Sequence, residues 1–407
     1  MTTARQYDLG TLFDPATRPN PYPVFDALRQ AGPASFFDGA LTLVGEHELS
    51  GRVLRDPAMS SDRRHSRMNR MMNPNREQDA EPTSFLSMDA PDHTRLRRLV
   101  SKAFTPRVIA ALEPRIRDVV DELVTGFAAD GTFDVVSQFG YPLPVRIITE
   151  LLGVPDEDQD RFEQWSKRLV RGLDPAMAVT DQSEIEDIWS AQLEFREYFT
   201  ALIARRRAEP GTDLLSSLVA IEEQGDQLSE GELIGTCVLL LVAGHETTAN
   251  LIANGVLALL RHPDQLAELR ADPGLVGGVV EEVLRYDPPV QLTSRVTRKP
   301  ITVGEIEVPA DGVLLILIGA ANRDPATFAD PERFDLHRDA RAHLSFAAGA
   351  HYCLGAGLAR LEAGIALSAF ASRIVDPELD TDALRYRPHV NLRGPEHMPV
   401  RFSRVSA

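Results

Sequence analysis

The chain has 407 residues and a formal net charge of −17, which excludes a general attraction to nucleic acid or to acidic membrane surfaces while leaving room for local basic patches. Apolar residues at 43% and charged residues at 25% exclude wholesale disorder. Two cysteines, Cys237 and Cys353, exclude a disulfide framework and any four-thiolate zinc or iron–sulfur centre within one chain.

The first residues, MTTARQYDLGTLFDPATRPNPYPVF, are polar and proline-punctuated, with no basic segment leading into an apolar run; the expectation is a cytoplasmic protein without a membrane span. Apolar residues then fall on helical stripes in PYPVFDALRQAG (21–32), HTRLRRLVSKAF (93–104), RVIAALEPRIRDVVDELVTGFAADG (107–131), PVRIITELLG (144–153), DRFEQWSKRLVRGL (160–173) and EIEDIWSAQLEFREYFTALIARRRAEPG (184–211). Next comes a capping-box start at Ser229–Glu232 and a stop at Arg261–Asp264, which bound a helix of roughly 30 residues and about 45 Å. Its apolar run, LIGTCVLLLVAG (233–244), is shorter than the roughly 20 residues a bilayer needs, so the helix is read as a buried rod through the core. Strand-like text is short: residues 301–325 alternate around glycine turns, and the tail HVNLRGPEHMPVRF (389–402) is extended. No repeat, low-complexity tract or linker divides the chain, so the expectation is one domain over 1–407, mainly α with small β-sheets.

Two stretches interrupt this pattern. In AGHETT (243–248) an acid and two hydroxyls sit in the middle of the apolar rod. Either Glu246 forms a satisfied ion pair and Thr247 bonds back to a carbonyl one turn earlier, or the pair is a proton relay beside a bound ligand. A zinc protease is excluded, because Ala249 stands where H-E-x-x-H needs its second histidine. The second stretch is HLSFAAGAHYCLGAGLARLEAG (343–364). Cys237, inside the apolar run, reads as an inert small hydrophobe. Cys353 instead lies among Gly349, Gly355 and Gly357, which allow close backbone approach, just ahead of a helix N-terminus that favours a thiolate. A protease cysteine needs a base from elsewhere, and His351 is badly spaced for that; thiolate ligation of heme iron needs only one cysteine, amides aimed at sulfur and flat apolar surface.

FAAGAHYCLG (346–355) resembles the heme-binding loop of the cytochromes P450, F-G-x-G-x-H/R-x-C-x-G, with Ala347 in place of a usual glycine. AGHETT matches the family's A/G-G-x-D/E-T-T/S, EEVLRY (281–286) its E-x-x-R helix, and PERF (331–334) the partner of that helix; the likeness runs from PNPYPVFDALRQAGP to LRGPEHMPVRF, essentially the whole chain. It implies a long distal helix over heme b, with the cysteine loop beneath. It implies Cys353 as the proximal iron ligand, with Phe346, Gly349, Ala243 and Gly244 beside the heme. His93, Arg97, Arg295 and His351 would anchor the propionates; Glu282, Arg285 and Arg333 would form a buried structural triad; Glu246 and Thr247 would be the acid–alcohol pair that delivers protons. By the same analogy the substrate pocket is lined by Leu241, Val242, Val290, Leu292 and Leu392 and roofed by residues 64–88, with Met68, Met71 and Met72, and by the segment 172–189.

The resemblance implies a monooxygenase that inserts one atom of dioxygen into a medium-sized, largely apolar substrate such as a polyketide, macrolide or terpenoid. A peroxide-using peroxygenase and a non-catalytic heme sensor or carrier are the alternatives, and retention of Glu246 and Thr247 speaks against both. The family fold takes up the whole length, so no fused reductase is expected, and electrons are expected from a ferredoxin and its NAD(P)H-dependent reductase. Arg98 and Lys102 offer that acidic partner a basic face, although an ordinary solvated helix face reads equally well. A monomer is expected.

Overall fold

The computed structural model describes residues 9–72, 84–127, 131–174, 181–223, 226–381 and 383–406. The middle parts of both expected roof segments, 73–83 and 175–180, lie outside the described residues. Helices α1 (His47–Arg55), α2 (Asp92–Ser101), α3 (Pro142–Leu151), α4 (Gln182–Ala208), α5 (Glu230–Arg261), α6 (Val276–Tyr286) and α7 (Ala356–Arg373) carry or flank the site. With them go strands β1 (Ala34–Phe36), β2 (Leu41–Val44), β3 (Met59–Ser60), β4 (Leu292–Thr297) and β5 (Val313–Leu317).

The predicted ends of the long helix hold. The Glu232 amide donates to Ser229 Oγ at 3.3 Å and Glu232 Oε2 accepts from the Ser229 amide at 2.8 Å, a complete capping box that satisfies two free donors at the helix start. The helix runs for 32 residues and ends at Arg261, where Pro263 opens the next one. By length and composition α5 could cross a bilayer, yet 72% of its most apolar window is buried inside the protein. One expectation fails: residues 107–131 do not form one helix but two, Pro106–Ala111 and Glu113–Thr125. Pro114 has no N–H to donate and its ring clashes with the carbonyl four residues back, so the pattern is cut at Leu112.

The α5 rod passes through two separate packing clusters. Its first half, Leu233 to Val242, lies among Phe162, Trp165, Phe195 and Phe199. Its second half, Leu251 to Leu259, lies among Val279, Val283, Leu367 and Phe370 of α6 and α7. The polar AGHETT segment falls between the two. Beside this helical mass a five-stranded sheet runs in the order β1-β2-β5-β4-β3, with only β2 and β5 parallel. The extended text predicted for 301–325 becomes a hairpin, Ile301–Val303 with Ile306–Val308, followed by β5. Pro399–Arg401 in the tail pairs with Glu378–Leu379 and with Thr132–Asp134.

Candidate active site

A cavity of about 260 Å³ opens between the middle of α5 and the loop before α7. Leu240, Ala243, Gly244, Thr247, Thr248 and Leu251 form its α5 wall, positions three or four apart that share one helix face. Phe346, Ala347, His351 and Cys353 line the opposite side. The loop is tied by the Cys353 amide donating to Phe346 O at 2.9 Å. Ala347 has φ +56° and Gly349 φ +72°, so the departure from the family's pattern puts an alanine at a left-handed position. Gly349 does not line the cavity; a Cβ there would sit 2.6 Å from the Leu54 carbonyl oxygen at the end of α1.

Cys353 lines the cavity with its side chain accessible from it. Burial raises the thiol pKa, against the lowering effect of the Gly355 and Ala356 amides at the start of α7 and of Arg97 and Arg360. The helix start acts in the predicted direction, and in the free thiol burial outweighs it. Cys237 is fully buried, and burial alone raises its pKa.

Four polar groups collect at one edge of the cavity. The rings of His93 and His351 are 4.1 Å apart, Arg97 lines the cavity and donates to Tyr352 O, and Arg295 donates from Nη1 to Ser294 O at 2.8 Å. Burial first, and neighbouring cations second, lower His351 to about 3 and Arg295 to about 10, and lower His93 as well, so both imidazoles are neutral at pH 7. His93 Nε2 and Arg295 Nη2 are buried with no hydrogen-bond partner. Orphaned buried groups are rare, and two beside the cavity suit the carboxylates of a heme. The residues present therefore suit the cofactor.

On α5, both halves of the modest reading are present. Thr247 Oγ1 donates to Ala243 O at 2.7 Å, and Thr248 Oγ1 to Gly244 O at 2.9 Å. Glu246, buried, is ion-paired with Arg387 from the chain between α7 and the last strands, with His245 Nε2 at 3.7 Å. Thr247 lines the cavity and Glu246 does not, because one residue along a helix turns about 100° around its axis. His245 is locked on the far side: Nδ1 lies 2.7 Å from Leu241 O and Nε2 3.1 Å from Tyr141 Oη.

The structural triad needs one correction. Arg285 donates to both oxygens of Glu282 at 2.7 Å, both side chains being fully buried, and to the carbonyls of Asn322, Pro331 and Arg333. Arg333 contributes only that carbonyl. Its own guanidinium is 66% exposed and 3.9 Å from Asp335. The second guanidinium on Glu282 is that of Arg338, with Nε 3.2 Å from Oε1.

The pocket expectations are also redrawn. Val290 lines the cavity, whereas Leu241 and Val242 point into the aromatic cluster, and Leu292 and Leu392 line a separate small void with Arg18 and Tyr386. Apolar residues surround this half of α5, so its sequence carries no polar stripe to set which face meets the cavity. The wall also includes Phe85, Leu86, Phe104, Ile148, Thr293 and Ile318, which no motif marked. Met71 and Met72 are exposed, and Met68 is partly buried against the cluster that holds Leu41 and Leu43. Arg98 and Lys102 are both exposed on or just after α2.

Comparison with known proteins gives a consistent picture. The family model described as Cytochrome P450 matches residues 40–273 and 274–373. Vitamin D(3) 25-hydroxylase of Pseudonocardia autotrophica is 41% identical, covering 100% of this chain and 99% of its own. Cytochrome P450 monooxygenase PikC of Streptomyces venezuelae is 42% identical over 95% of this chain and 92% of its own. The crystal structure of ligand-free CYP164A2 of Mycobacterium smegmatis superposes with a TM-score of 0.90 at 46% identity, covering 97% of this chain and 99% of that one.

Proposed function

The chain belongs to the cytochrome P450 family and is a heme b monooxygenase, and from that premise we infer that it oxidises medium-sized, largely apolar natural products with electrons from a ferredoxin and its NAD(P)H-dependent reductase. The observation that carries the reading is a single cavity with Cys353 on one wall and Ala243, Gly244 and Thr247 on the other. Heme, when bound, supplies dioxygen activation, and a cysteine thiolate below it favours O–O cleavage.

The residues of the chain take the remaining roles. Cys353 would ligate the iron, its sulfur facing the amides of Gly355 and Ala356. His93, Arg97, Arg295 and His351 would hold the propionates, which would satisfy the two orphaned atoms. Thr247 spends its proton on Ala243 O, which leaves its hydroxyl oxygen to accept from a water or a protonated ligand in the cavity. Glu246 stands one position back with its carboxylate held by Arg387, where it can accept a proton and pass it on, on the side away from substrate. Leu240, Val290, Ile318 and Phe85 present an apolar surface to the substrate. The name of one relative, a vitamin D(3) hydroxylase, agrees with a ligand of that size and polarity.

The test is the carbon monoxide difference spectrum of the dithionite-reduced protein. A strongly red-shifted Soret band is expected, to be lost in Cys353→Ser; a histidine-type band, or an unchanged band in the variant, would refute the ligand assignment. Arg98 and Lys102 are the docking cations for an acidic ferredoxin. Reversing both charges should raise the ferredoxin concentration needed for half-maximal turnover, most at low salt, and identical kinetics across a salt series would remove them from the interface.

A further inference from the structure

On the side of the Cys353 loop away from the cavity stands a cation that has no role in the site described above. Arg360 lies on α7, one turn past Ala356. Its Nη1 donates to the Tyr352 hydroxyl at 3.2 Å, and its guanidinium carbon lies 4.5 Å from the centre of the Phe346 ring. Both partners belong to the loop: Tyr352 directly precedes the cysteine, and Phe346 O accepts from the Cys353 amide. The rest of the guanidinium faces α6, where Nε donates to Glu281 Oε1 at 2.5 Å and Nη2 to Oε2 at 3.1 Å. His343 Nε2 lies 3.3 Å from the same Oε2, and His343 Nδ1 accepts from the Ser345 amide, which leaves the ring hydrogen on Nε2. Burial opposes a charge on Glu281, yet the bonds from His343 and Arg360 outweigh it and hold the carboxyl down to about 2, so Glu281 is ionised at pH 7.

The pair is thus a fixed dipole whose positive end rests on the cysteine loop, while its negative end reaches that loop through Arg360. A cation beside a redox centre favours the form holding one more electron, an anion disfavours it, and the nearer charge prevails. The two side chains are 34% and 17% exposed, so solvent and salt weaken the field without removing it. We propose that Arg360 and Glu281 are positioning residues for electron uptake: Arg360 raises the reduction potential of the iron bound to Cys353, and Glu281 limits that rise. The step they govern is the transfer of one electron from reduced ferredoxin to ferric heme, giving ferrous heme and oxidised ferredoxin. The proposal rests on the reading of Cys353 as the heme ligand.

The experiment is a spectroelectrochemical titration of the heme-loaded, substrate-free protein, comparing wild type with Arg360→Gln, Arg360→Lys, Glu281→Gln and the Arg360→Gln/Glu281→Gln double variant. At a fixed applied potential the ratio of reduced to oxidised heme should fall about threefold in Arg360→Gln and rise about threefold in Glu281→Gln, each about 28 mV at 59 mV per decade for one electron. Arg360→Lys keeps the charge and should stay near wild type, and the double variant should lie between the two single ones. A pair that merely braced the loop would lower unfolding stability in every variant and would not move the potential in opposite directions. Unchanged potentials, or shifts of one sign in Arg360→Gln and Glu281→Gln, overturn the proposal; Glu281→Gln keeps the shape of the site and gives its answer even if Arg360→Gln folds poorly. Failure of the ligand reading shows up separately and earlier, as a missing thiolate-type carbon monoxide band in wild type, and the proposal falls with it.

Discussion

Arg338, not Arg333, carries the second guanidinium on Glu282, and paired substitutions measure the difference. In Arg338→Gln, Glu282 loses the 3.2 Å contact from Nε but keeps both bonds from Arg285 and the Asp335 amide at 3.0 Å. The carboxylate is therefore weakened without being orphaned. The carbonyls that Arg338 also holds, those of Ala329, Asp330 and Arg333, lie at the surface side, where water replaces it at little cost. One hydrogen bond to a charged group is worth about 1.5–3 kcal/mol, so the expected loss is near the lower end, about 2 kcal/mol. Arg333→Gln removes a side chain 66% exposed and barely within ion-pair range, for less than about 0.5 kcal/mol. The assay is urea unfolding of the heme-loaded protein, followed by far-UV circular dichroism and by Soret absorbance. Equal losses, or a larger loss for Arg333→Gln, would refute the assignment.

Gly349→Ala combines a left-handed φ of +72° with a Cβ 2.6 Å from the Leu54 carbonyl oxygen, and a backbone atom cannot yield as a side chain can; it should cost more than about 2 kcal/mol and lower heme content on purification, while normal heme loading would contradict the geometry. Ala347→Gly acts oppositely. Relief of a left-handed alanine is worth about 1–2 kcal/mol and the added chain entropy of glycine offsets about 0.5–1, so a net gain of about 0.5–1 kcal/mol is expected in the same unfolding assay, and a loss would be contrary. His245 is pushed down to about 4 by burial, with Arg387 and Lys167 adding to it. Its unfolded pKa is near 6.5, so between pH 6.5 and 4 the unfolded chain binds a proton that the folded chain does not, and stability falls as pH falls through that window. In His245→Gln this dependence should shrink by up to about 3 kcal/mol between pH 7 and 4; parallel pH profiles for the two proteins would show that His245 is protonated in the fold.

What could be read from the sequence was what short-range physics decides. The capping box at Ser229 and Glu232 is closed within four residues, and the loop around Cys353 repeats a pattern of fixed spacing, so both were found. What escaped depends on rotation and distance. Leu241 and Val242 sit on an α5 stretch apolar on every side, so only the packing of Phe195 and Phe199 against it determines that Leu240 and Ala243 meet the cavity instead. Arg333 and Arg338 occupy one irregular segment, and which side chain turns inward follows from the path of its carbonyls around Arg285, a tertiary matter. Arg387 is brought to Glu246 by the fold of the distant C-terminal segment, and no spacing rule reaches that far.

The division of α5 between two packing clusters has a consequence for how such a chain diversifies. The half of the helix among Phe162, Trp165, Phe195 and Phe199 backs the cavity wall, and its cluster meets the cysteine loop through Leu354; the half among Val283, Leu367 and Phe370 supports the scaffold that holds the loop. Substitutions at Phe162, Trp165, Phe195 and Phe199 can reshape the room above the cofactor while the Cys353 amide keeps its bond to Phe346 O. One rod thus separates an adaptable compartment from a conservative one, and drift in ligand preference can proceed without renegotiating the iron site.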